Sequence, residues 1–595
     1  MGPPVVPTDM DRPIDYGTFE EGRGTNYFTL DRALRREVRR VYPDDRLARG
    51  EALLDEFGEH VATTIADNAD TVDDHGPQLH TYDRDGEVQN RVEYHPAQTE
   101  NERLAYGNGA VADSFEAPPG DDDPLPFAHM LAMGYLLSYA DPGFYCPVSM
   151  TAGAALVLDK YGDEPPLGAY YERLVSRDPD EVIEGAMFLT EKQGGSDVGA
   201  TETTAEHVEE NRYELTGEKW FCSNIDAEGT LALARTPDAP EGTAGLSLFL
   251  VPHTVDGDLN DQLYRRLKDK LGTISVPTGE VELRGATGYL IGEEGRGFTY
   301  MTDMLNLERL SNAVASCGIV GRALLEAKVH AETREAFGSP IAEYPLMKAD
   351  LVDLAVDHEA MTAYAFDAAR AFDRRERESD EDAYRLMRAL IPVAKYRLGR
   401  MAVDAASYAM EILGGDGYVD DFVTNRLLRD AQVLPIWEGT SNILSLDLLR
   451  ALDREDAHEP LLARIGDYCD RAEHPFLADL ADEVREAHSD LATAMATLAT
   501  EDTEYAQLKA KDLADLVFDT YTAALLVAQA QDRIDEADDG RLAVVADRFV
   551  ARHFRESADR GVTDGDRAPL AFDDAVVRYA RVDPDELTPS VPADD

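Results

Sequence analysis

The chain has 595 residues, of which 44% are hydrophobic, so it is long enough for several packed domains and too apolar for disorder throughout. Its 57 Lys and Arg against 117 Asp and Glu give a formal net charge of −60, far more than solubility requires. The carboxylates are spread along the whole chain, which disfavours the alternative of a local acidic patch for a basic partner. Because molar salt shortens the Debye length to about 3 Å, we expect a cytoplasmic protein of an extreme halophile.

Cysteine usage and the N-terminus exclude further classes. The four cysteines lie far apart without a C-x-x-C pair, so the sequence predicts neither a zinc site nor a disulfide framework, and no other metal site. The opening MGPPVVPTDMDRP has no basic-then-apolar signal, and we find no apolar run of about 18 residues. We therefore expect a reducing compartment and no membrane.

The predicted elements change type twice along the chain. Residues 1–184 alternate helical stripes such as ALLDEFGEHVATTIADNA with turn clusters such as EAPPGDDDPLP, which predicts a helical domain with a mobile connector. Over 185–292, Gly, Pro and Asp separate segments that predict an antiparallel sheet: GAMFLT, RYELTGEKWFCS, GTLALARTP, LSLFLVPH and TGEVELRG. Long amphipathic helices return over 293–452. Residues 453–595 are predicted as a helical extension with a disordered acidic tail, DPDELTPSVPADD.

The stretch TEKQGGSDVGA, Thr190 to Ala200, interrupts a strand pattern with two glycines, a serine and an aspartate. Glycines let backbone amides come close to a ligand, although a plain hairpin connection is the commoner explanation. In the next predicted strand, Phe221 and Ser223 are two residues apart and share a face. An aromatic ring beside a hydroxyl suits a flat heterocycle, and an ordinary half-buried strand is the alternative.

Two further motifs follow in the helical region. Arg334 in REAFG ends a long helix and could clamp a phosphate, although a solvated helix arginine is the commoner case. Gly414 and Gly415 in EILGGDGY would let the backbone approach an adenine or a pyrophosphate. A helix C-cap followed by a turn explains these glycines equally well.

Two glutamates are candidate bases. LPIWEGTSNI places Glu438 between an apolar run and a turn that begins a helix, where contact with Ile436 and Trp437 should raise its pKa. A capping role at the helix N-terminus is the alternative. Glu308 continues the helical apolar stripe of Met301, Met304 and Leu305, so it is either buried or at a pocket.

In their order, T-E-x-x-G-G-S-D, K-W-F-x-S-N, R-x-x-F-G, L-G-G-x-G-Y and W-E-G-T-S-N resemble the acyl-CoA dehydrogenase superfamily over residues 15 to about 550. The strings MFLTEKQGGSDV, RLKDKLG, YCPVSMT and IWEGTSNI are similar to its AidB-type branch, the adaptive-response acyl-CoA dehydrogenases. The resemblance implies an α+β, mostly α fold with an N-terminal helical domain, a middle β-domain and a C-terminal four-helix bundle. It also implies FAD between the last two domains, and homotetramers.

The resemblance implies a role for each motif. Thr190 would hydrogen-bond the flavin, with Ser196 beside it. Phe221 would cover the flavin ring, and Ser223 would meet its N5. Arg334 and Phe337 would hold the pyrophosphate and adenine end, which Gly414 and Gly415 reach from a neighbouring subunit. The full set of implied cofactor contacts is Leu189, Thr190, Gly195, Ser196, Phe221, Ser223, Arg334, Phe337, Gly414, Gly415, Trp437, Thr440 and Asn442.

The implied reaction is α,β-dehydrogenation of an acyl-CoA to a trans-2-enoyl-CoA. Glu438 removes the α-proton, hydride passes to flavin N5, and electrons leave to an electron-transfer flavoprotein. An acyl-CoA oxidase, and a flavin-containing stress-response protein with little turnover and possible nucleic-acid binding, are the alternatives. Nucleic-acid binding is disfavoured because carboxylates outnumber Lys and Arg from about residue 453 onward.

This sequence departs from the family in three places. In the isovaleryl-CoA dehydrogenase branch, a glutamate at the position of Glu308 is the base. Here Glu308 and Glu438 are both present. We therefore hypothesise that they titrate as a coupled pair in which Glu438 is the base and Glu308 tunes or replaces it. A salt bridge from Glu308 to an arginine is the alternative. Trp437 stands where most relatives have tyrosine, which implies a reshaped acyl pocket. YPLM, Tyr344 to Met347, replaces a histidine-glutamine pair and puts one cofactor contact in doubt.

Overall fold

The computed structural model describes residues 12–555, 560, 562–563, 565 and 567–587. The chain divides into two units. We call Ala52–Ser311 the central unit, and the chain up to Glu51 together with the chain from Asn312 onward the terminal unit.

The first third of the chain is mainly helical, as predicted. Its helices are α1 (Tyr27–Leu30), α2 (Arg32–Val41), α3 (Asp44–His60), α4 (Ala66–Asp74), α5 (Pro96–Gly107), α6 (Phe127–Ala140), α7 (Pro142–Tyr161) and α8 (Leu167–Leu174). The prediction missed an antiparallel hairpin of β1 (Gln78–Tyr82) and β2 (Val88–Glu93). Most of its side chains are at least partly exposed, so the hairpin lacks the alternation of buried and polar residues that identifies a strand.

The central unit contains a seven-stranded sheet. The strands in this part of the chain are β3 (Gly185–Phe188), β4 (Thr204–Glu209), β5 (Arg212–Ser223), β6 (Gly229–Arg235), β7 (Leu246–Pro252), β8 (Thr254–Val255), β9 (Asp258–Leu259), β10 (Gln262–Leu267) and β11 (Thr278–Ile291). The sheet order is β10-β11-β5-β4-β6-β3, and β7 pairs with both β11 and β6, while β8 and β9 form a separate small hairpin. The pairing of β3 with β6 is parallel, which departs from the antiparallel prediction.

Apolar burial explains which strands the sequence reveals. Every residue of β7 is buried, and all of β6 is buried except its last residue. Met150 and Leu158 of α7 belong to one buried apolar cluster with Leu231 of β6 and Leu248 of β7. Each such side chain contributes about 1.5–3 kcal/mol when fully buried, so this cluster fixes α7 against the sheet.

The rest of the chain is helical apart from the two-residue strands β12 (Glu335–Ala336) and β13 (Ser339–Pro340). The helices are α9 (Gly297–Thr333), α10 (Pro345–Glu378), α11 (Glu381–Leu413), α12 (Gly415–Tyr418), α13 (Val423–Ala431), α14 (Ser441–Arg454), α15 (His458–Cys469), α16 (Pro475–Leu498), α17 (Thr503–Leu508), α18 (Ala510–Ala537), α19 (Arg541–Phe554) and α20 (Asp573–Arg578). The predicted order of helices, sheet, helices and a helical extension is therefore confirmed.

Local signals set the ends of the long helices. Proline at position 345 opens α10, where its missing N–H costs nothing. Asp380 caps α11 by accepting a hydrogen bond from the backbone N–H of Ala383. Between them Ser379 takes the left-handed conformation that ends α10. Two long helices thus succeed one another through a two-residue turn and pack together.

Helix α18 is the core of the extension. Among the described residues, it is the one helix long and apolar enough to cross a membrane, which the sequence analysis did not predict. However, 83% of its most apolar window is buried inside the protein. A helical apolar stripe in the sequence, Leu513, Leu516, Val517, Tyr521 and Ala524, explains this burial, since four of its members are buried and Leu516 is half-buried. A buried core helix passes the same test, so α18 is weak evidence for a membrane span.

The predicted disorder of the acidic tail does not hold for residues 583–587. Pro584–Glu586 form a 3-10 helix, and Leu587 is buried against Gly540. The backbone N–H of Gly540 donates to the carbonyl of Val582 at 2.8 Å. Apolar contacts thus order the start of the tail despite its charge, and residues 588–595 lie outside the described part of the chain.

Candidate active site

The loop after β3 folds back on itself. Glu191 and Gly194 exchange backbone hydrogen bonds, and Gly194 has φ +147°, which favours glycine. A Cβ on Gly195 would lie 2.5 Å from Oγ1 of Thr190, so only glycine fits there. The structure therefore brings the predicted contacts Thr190 and Gly195 together, with Leu189 half-buried before them and Ser196 exposed after them.

A buried ion pair lies beneath this loop, and the sequence analysis missed it. Oε1 of Glu191 accepts hydrogen bonds from Nζ of Lys219 at 2.8 Å and from Oγ1 of Thr203 at 2.5 Å, while its Oε2 accepts from the backbone N–H of Glu202 at 2.7 Å. Burial alone would raise the pKa of Glu191, but the Lys219 ammonium and these donors outweigh it and lower the pKa to about 2. The loop is therefore anchored by an ionised carboxylate.

Phe221 and Ser223 lie near the end of β5, as predicted. Phe221 is 56% exposed, and Nζ of Lys268 lies 4.9 Å from the centre of its ring, so part of the ring is accessible. Ser223 is partly buried, and its Oγ lies 3.0 Å from Oγ1 of Thr278 on β11. A ring and a hydroxyl are thus available beside the anchored loop.

Glu308 is buried in the central unit, one of its two predicted environments. It is 4% exposed, and its Oε2 accepts a hydrogen bond from Oγ of Ser149 at 2.9 Å. A Cβ on Gly153 would lie 3.1 Å from Oε1 of Glu308, so glycine lets α7 pack closely against this carboxylate. The coupling of Glu308 to Glu438 stays a prediction.

In the terminal unit, the turn after α9 carries Arg334 and Phe337. Phe337 is 99% exposed and has φ +54°, a conformation uncommon for a non-glycine residue. Tyr344 stabilises the turn by donating from its hydroxyl to the carbonyl of Ala336 at 2.7 Å. The exposed Arg334 side chain makes no ion pair with any carboxylate in the described part of the chain. In a protein with twice as many acidic as basic residues, this leaves an arginine and an aromatic ring open to a ligand.

Gly414 and Gly415 form the turn after α11. Gly414 has φ +64°, which explains its glycine by conformation. In the described part of the chain, no atom other than those of the adjoining residues lies within 4 Å of where a Cβ would stand on either glycine. Their backbone is therefore open to approach from outside, as the predicted adenine contact requires, although the C-cap explanation also holds.

The predicted base, Glu438, sits on a strained loop. Its φ is +55°, and Gly439 follows with φ +106°. Nζ of the buried Lys395 donates to the carbonyl of Gly439 at 2.5 Å. Upstream, Nδ2 of Asn312 donates to the carbonyl of Leu434 at 3.3 Å. Helices α9 and α11 thus hold both ends of the loop, and the sequence analysis had no signal for Lys395 because it lies 44 residues away.

The remaining predicted contacts flank Glu438. Trp437 has a buried indole N–H that finds no hydrogen-bond partner among the described residues. Thr440 precedes α14 without a side-chain cap, and both Thr440 and Asn442 are exposed. Unused donors and acceptors therefore surround the N-terminus of this helix, where the helix dipole favours anionic groups. Among the described residues, no three His, Cys, Asp or Glu side chains are grouped to hold a metal.

The sequence matches three families of domains. Residues 19–181 match the adaptive response protein AidB N-terminal domain, residues 186–286 the acyl-CoA dehydrogenase middle domain, and residues 295–452 the acyl-CoA dehydrogenase C-terminal domain. These ranges fall inside the predicted segments 1–184, 185–292 and 293–452, whose limits themselves stay predictions.

Two relatives extend the similarity over most of the chain. Acyl-CoA dehydrogenase family member 11 of Caenorhabditis elegans is 36% identical over 448 residues, covering 72% of this chain and 71% of the relative. AidB of Escherichia coli strain K12 is 34% identical over 405 residues, covering 65% of this chain and 71% of AidB. The similarity thus includes an AidB protein, as the motifs indicated.

Solved structures share the fold. Caenorhabditis elegans ACDH-11 in complex with C11-CoA has a TM-score of 0.85 at 31% identity, covering 90% of this chain and 93% of that one. The Bd2924 apo-form has a TM-score of 0.77 at 30% identity, covering 86% and 99%. The predicted fold class is therefore confirmed, and with a relative 36% identical over 71% of its length, the chain belongs to the acyl-CoA dehydrogenase family.

Proposed function

We propose that the protein is a FAD-dependent acyl-CoA dehydrogenase that forms a trans-2-enoyl-CoA, with Glu438 as the base. The observation that carries this proposal is the loop at Glu438, whose left-handed backbone is held by Lys395 through the carbonyl of Gly439. Such strain costs about 1–3 kcal/mol and clusters at active sites. This strained placement of the carboxylate supports the proposed role of Glu438 as the base.

The residues present fit a flavin. The residues offer stacking, hydrogen bonding and charge through the partly exposed ring of Phe221, the unpartnered indole N–H of Trp437, and the exposed Arg334 and Phe337. Thr190, Ser196, Phe221 and Ser223 would meet the ring system. Arg334, Phe337, Thr440 and Asn442, with Gly414 and Gly415 of a neighbouring subunit, would meet the rest. When bound, FAD supplies the two-electron acceptor.

The chain's own contribution is to take the proton. The thioester carbonyl acidifies the α-proton of the substrate, and Glu438 removes it. A backbone amide near Glu438 would donate to the carbonyl oxygen, which is worth about 3 kcal/mol of transition-state stabilisation. We include Glu308 in the proposal as a second carboxylate. If Glu308→Gln leaves both the activity and its pH profile unchanged, Glu308 has no role in the reaction.

The length of the acyl group is proposed from the ligand of a relative. ACDH-11 is seen in complex with C11-CoA. We infer that this chain, which is 31% identical to it, accepts acyl-CoA thioesters of similar length. Trp437 would set the depth of the acyl pocket.

The test is an anaerobic titration of the flavin-loaded protein with straight and branched acyl-CoAs, following the visible flavin absorbance. We expect bleaching by one class of acyl-CoA, and a rate about 10²–10⁴-fold lower in Glu438→Gln, because removal of a general base costs this much. Glu501→Gln, a change at an exposed glutamate, is the matched control and should bleach normally. Equal rates in Glu438→Gln and the control would refute the role of Glu438.

A second function is favoured by the AidB N-terminal domain match and by the AidB relative. It is a flavin-containing stress-response protein with little turnover. This alternative predicts FAD that stays bound and is not bleached by any acyl-CoA in the panel. The same titration therefore decides between the two functions.

We also propose a homo-oligomer, of which a tetramer is the family expectation, and an electron-transfer flavoprotein as acceptor. Exposed apolar side chains support association: Leu346 is 82% exposed and Tyr418 is 77% exposed, with Val419 and Phe422 exposed beside Tyr418. Light scattering after size-exclusion chromatography gives the oligomeric state. Tyr418→Ser with Phe422→Ser should shift it toward the monomer.

A further inference from the structure

The loop that carries Glu438 runs from Leu434 to Gly439, between α13 and α14, and its own residues do not explain its shape. Glu438 has φ +55°, and Gly439 after it has φ +106°. A non-glycine residue enters the left-handed region only at a cost, and glycine is free to leave it. Contacts from outside the loop must therefore hold this conformation.

Helix α11 supplies such contacts at both ends of the loop. Nζ of Lys395 donates to the carbonyl of Gly439 at 2.5 Å. Gly399 lies one turn further along α11, and a Cβ there would stand 3.2 Å from the carbonyl oxygen of Leu434. This distance is closer than ordinary van der Waals contact, so glycine lets α11 pack tightly against the start of the loop. Glu438 thus projects from a loop whose two ends are held by one helix.

A lysine is a costly residue for a purely structural tie at this place. Lys395 is fully buried, and lysine is rarely buried completely because desolvation of its ammonium group is expensive. A neutral donor satisfies a carbonyl at less cost, as Asn312 does for the carbonyl of Leu434 at the other end of the loop. The ammonium group gives a stronger, charge-assisted hydrogen bond. The peptide that follows Glu438 is therefore held more firmly than a neutral donor would hold it.

We propose that Lys395 is a positioning residue for the reaction, which fixes the backbone of Glu438 so that its carboxylate meets the α-carbon of the substrate. This role rests on the proposed function of Glu438 as the base. Lys395 acts through the carbonyl of Gly439 and takes no part in the proton transfer itself. Misplacement of a reacting group by about 1 Å costs on the order of 10²-fold in rate. Loss of Lys395 should therefore slow the reaction and leave the binding of the acyl-CoA nearly unchanged.

The first measurement reads the loop in the apoprotein, without substrate or flavin. The chain has two tryptophans, so in a Trp220→Phe background the fluorescence comes from Trp437, which is adjacent to Glu438. Lys395→Met should lower the fluorescence anisotropy of Trp437 and increase its quenching by acrylamide, because the loop loses one tie. Gly399→Ala should act in the same direction from the other end. Since alanine forms helices better than glycine, a weaker α11 would not explain that result. Unchanged anisotropy and quenching in Lys395→Met would overturn the proposal.

The second measurement is the rate of flavin reduction in anaerobic single turnovers of the flavin-loaded protein, with the acyl-CoA that reduces the wild-type protein fastest. In Lys395→Met, which keeps the length of the side chain but removes the donor, the limiting rate should fall about 10²-fold. The acyl-CoA concentration that gives half this rate should change by less than about threefold, because the tie serves the transition state and not binding. Lys509→Met is the matched control, since Lys509 is 43% exposed and pairs with Asp512.

The outcomes separate this role from the proposed function. Equal limiting rates in Lys395→Met and Lys509→Met would overturn the positioning role while the proposed function stands. A wild-type protein that no acyl-CoA reduces would refute the proposed function and this role together. If Lys395→Met does not fold, Lys395→Gln replaces it in both measurements. Glutamine keeps a neutral donor that is one atom shorter, so its rate should fall less, and a rate equal to that of the control would again overturn the role.

Discussion

The loop Thr190–Asp197 and the turn Arg334–Gly338 both carry predicted cofactor contacts, yet they are held differently. Beneath the loop, Glu191 and Lys219 form a buried ion pair that also binds Thr203. In the turn, Phe337 is almost fully exposed. Contacts within the chain therefore fix the loop Thr190–Asp197. In the turn Arg334–Gly338, by contrast, only a ligand or another copy of the chain could bury the exposed side chains.

The largest expected effect is loss of the anchor under the loop. Lys219→Met would leave the Glu191 carboxylate buried and uncompensated, and we expect the free energy of unfolding to fall by about 3–5 kcal/mol. Chemical denaturation of the apoprotein measures this. Lys192→Met removes the same charge from an exposed residue of the loop and should cost less than about 0.5 kcal/mol. Similar losses in the two variants would mean that the pair does not anchor the loop.

The same pair predicts a pH dependence. The pKa of Glu191 is about 2 in the folded protein and about 4.3 in an unfolded chain, so its ionisation stabilises the fold above pH 4.3. This stability is lost as the pH falls from about 4.3 to 2. Compared with Glu191→Gln, the wild-type protein should be more stable by on the order of 3 kcal/mol at pH 7, and almost equally stable at pH 2. A difference independent of pH would contradict the ionised pair.

A substitution in the turn Arg334–Gly338 should weaken cofactor binding and leave the stability of the apoprotein unchanged. Arg334→Gln removes one charge-assisted donor to a phosphate, worth about 1.5–3 kcal/mol, so FAD affinity should fall at least tenfold. The stability of the apoprotein should not change, because Arg334 makes no ion pair among the described residues. Arg296→Gln, at an exposed arginine whose contact to Glu293 is 3.7 Å, is the control. Unchanged FAD affinity in Arg334→Gln would remove the phosphate role.

The contrast also shows what the sequence could predict. β5 was predictable because buried and exposed residues alternate over its first half, RYELT, and the motif loop was predictable from its glycines. β4 was missed because all but one of its residues are exposed, which hides the alternation. A local pattern thus identifies an element only when one of its faces is buried.

Contacts between distant residues were not predictable from patterns. Lys219 lies 28 residues after Glu191, and only the fold of the β-domain brings them together. Arg541 meets Glu359 across 182 residues, so no local pattern in the sequence marks this buried ion pair. The motifs named the residues that we propose to face a ligand, whereas the groups that hold those residues in place appear only in three dimensions.

The smallest expected effect tests the exposed side of the comparison. Phe337→Ser removes an aromatic ring that is 99% exposed, so the free energy of unfolding of the apoprotein should change by no more than about 0.5 kcal/mol. If a cofactor or a second copy of the chain covers this ring, the flavin-loaded oligomer should instead release FAD faster or dissociate more readily. Denaturation of the apoprotein, FAD release and light scattering measure the three quantities. A large loss of stability in the apoprotein alone would show that Phe337 supports the turn itself. The loop Thr190–Asp197 and the turn Arg334–Gly338 would then both be held by contacts within the chain.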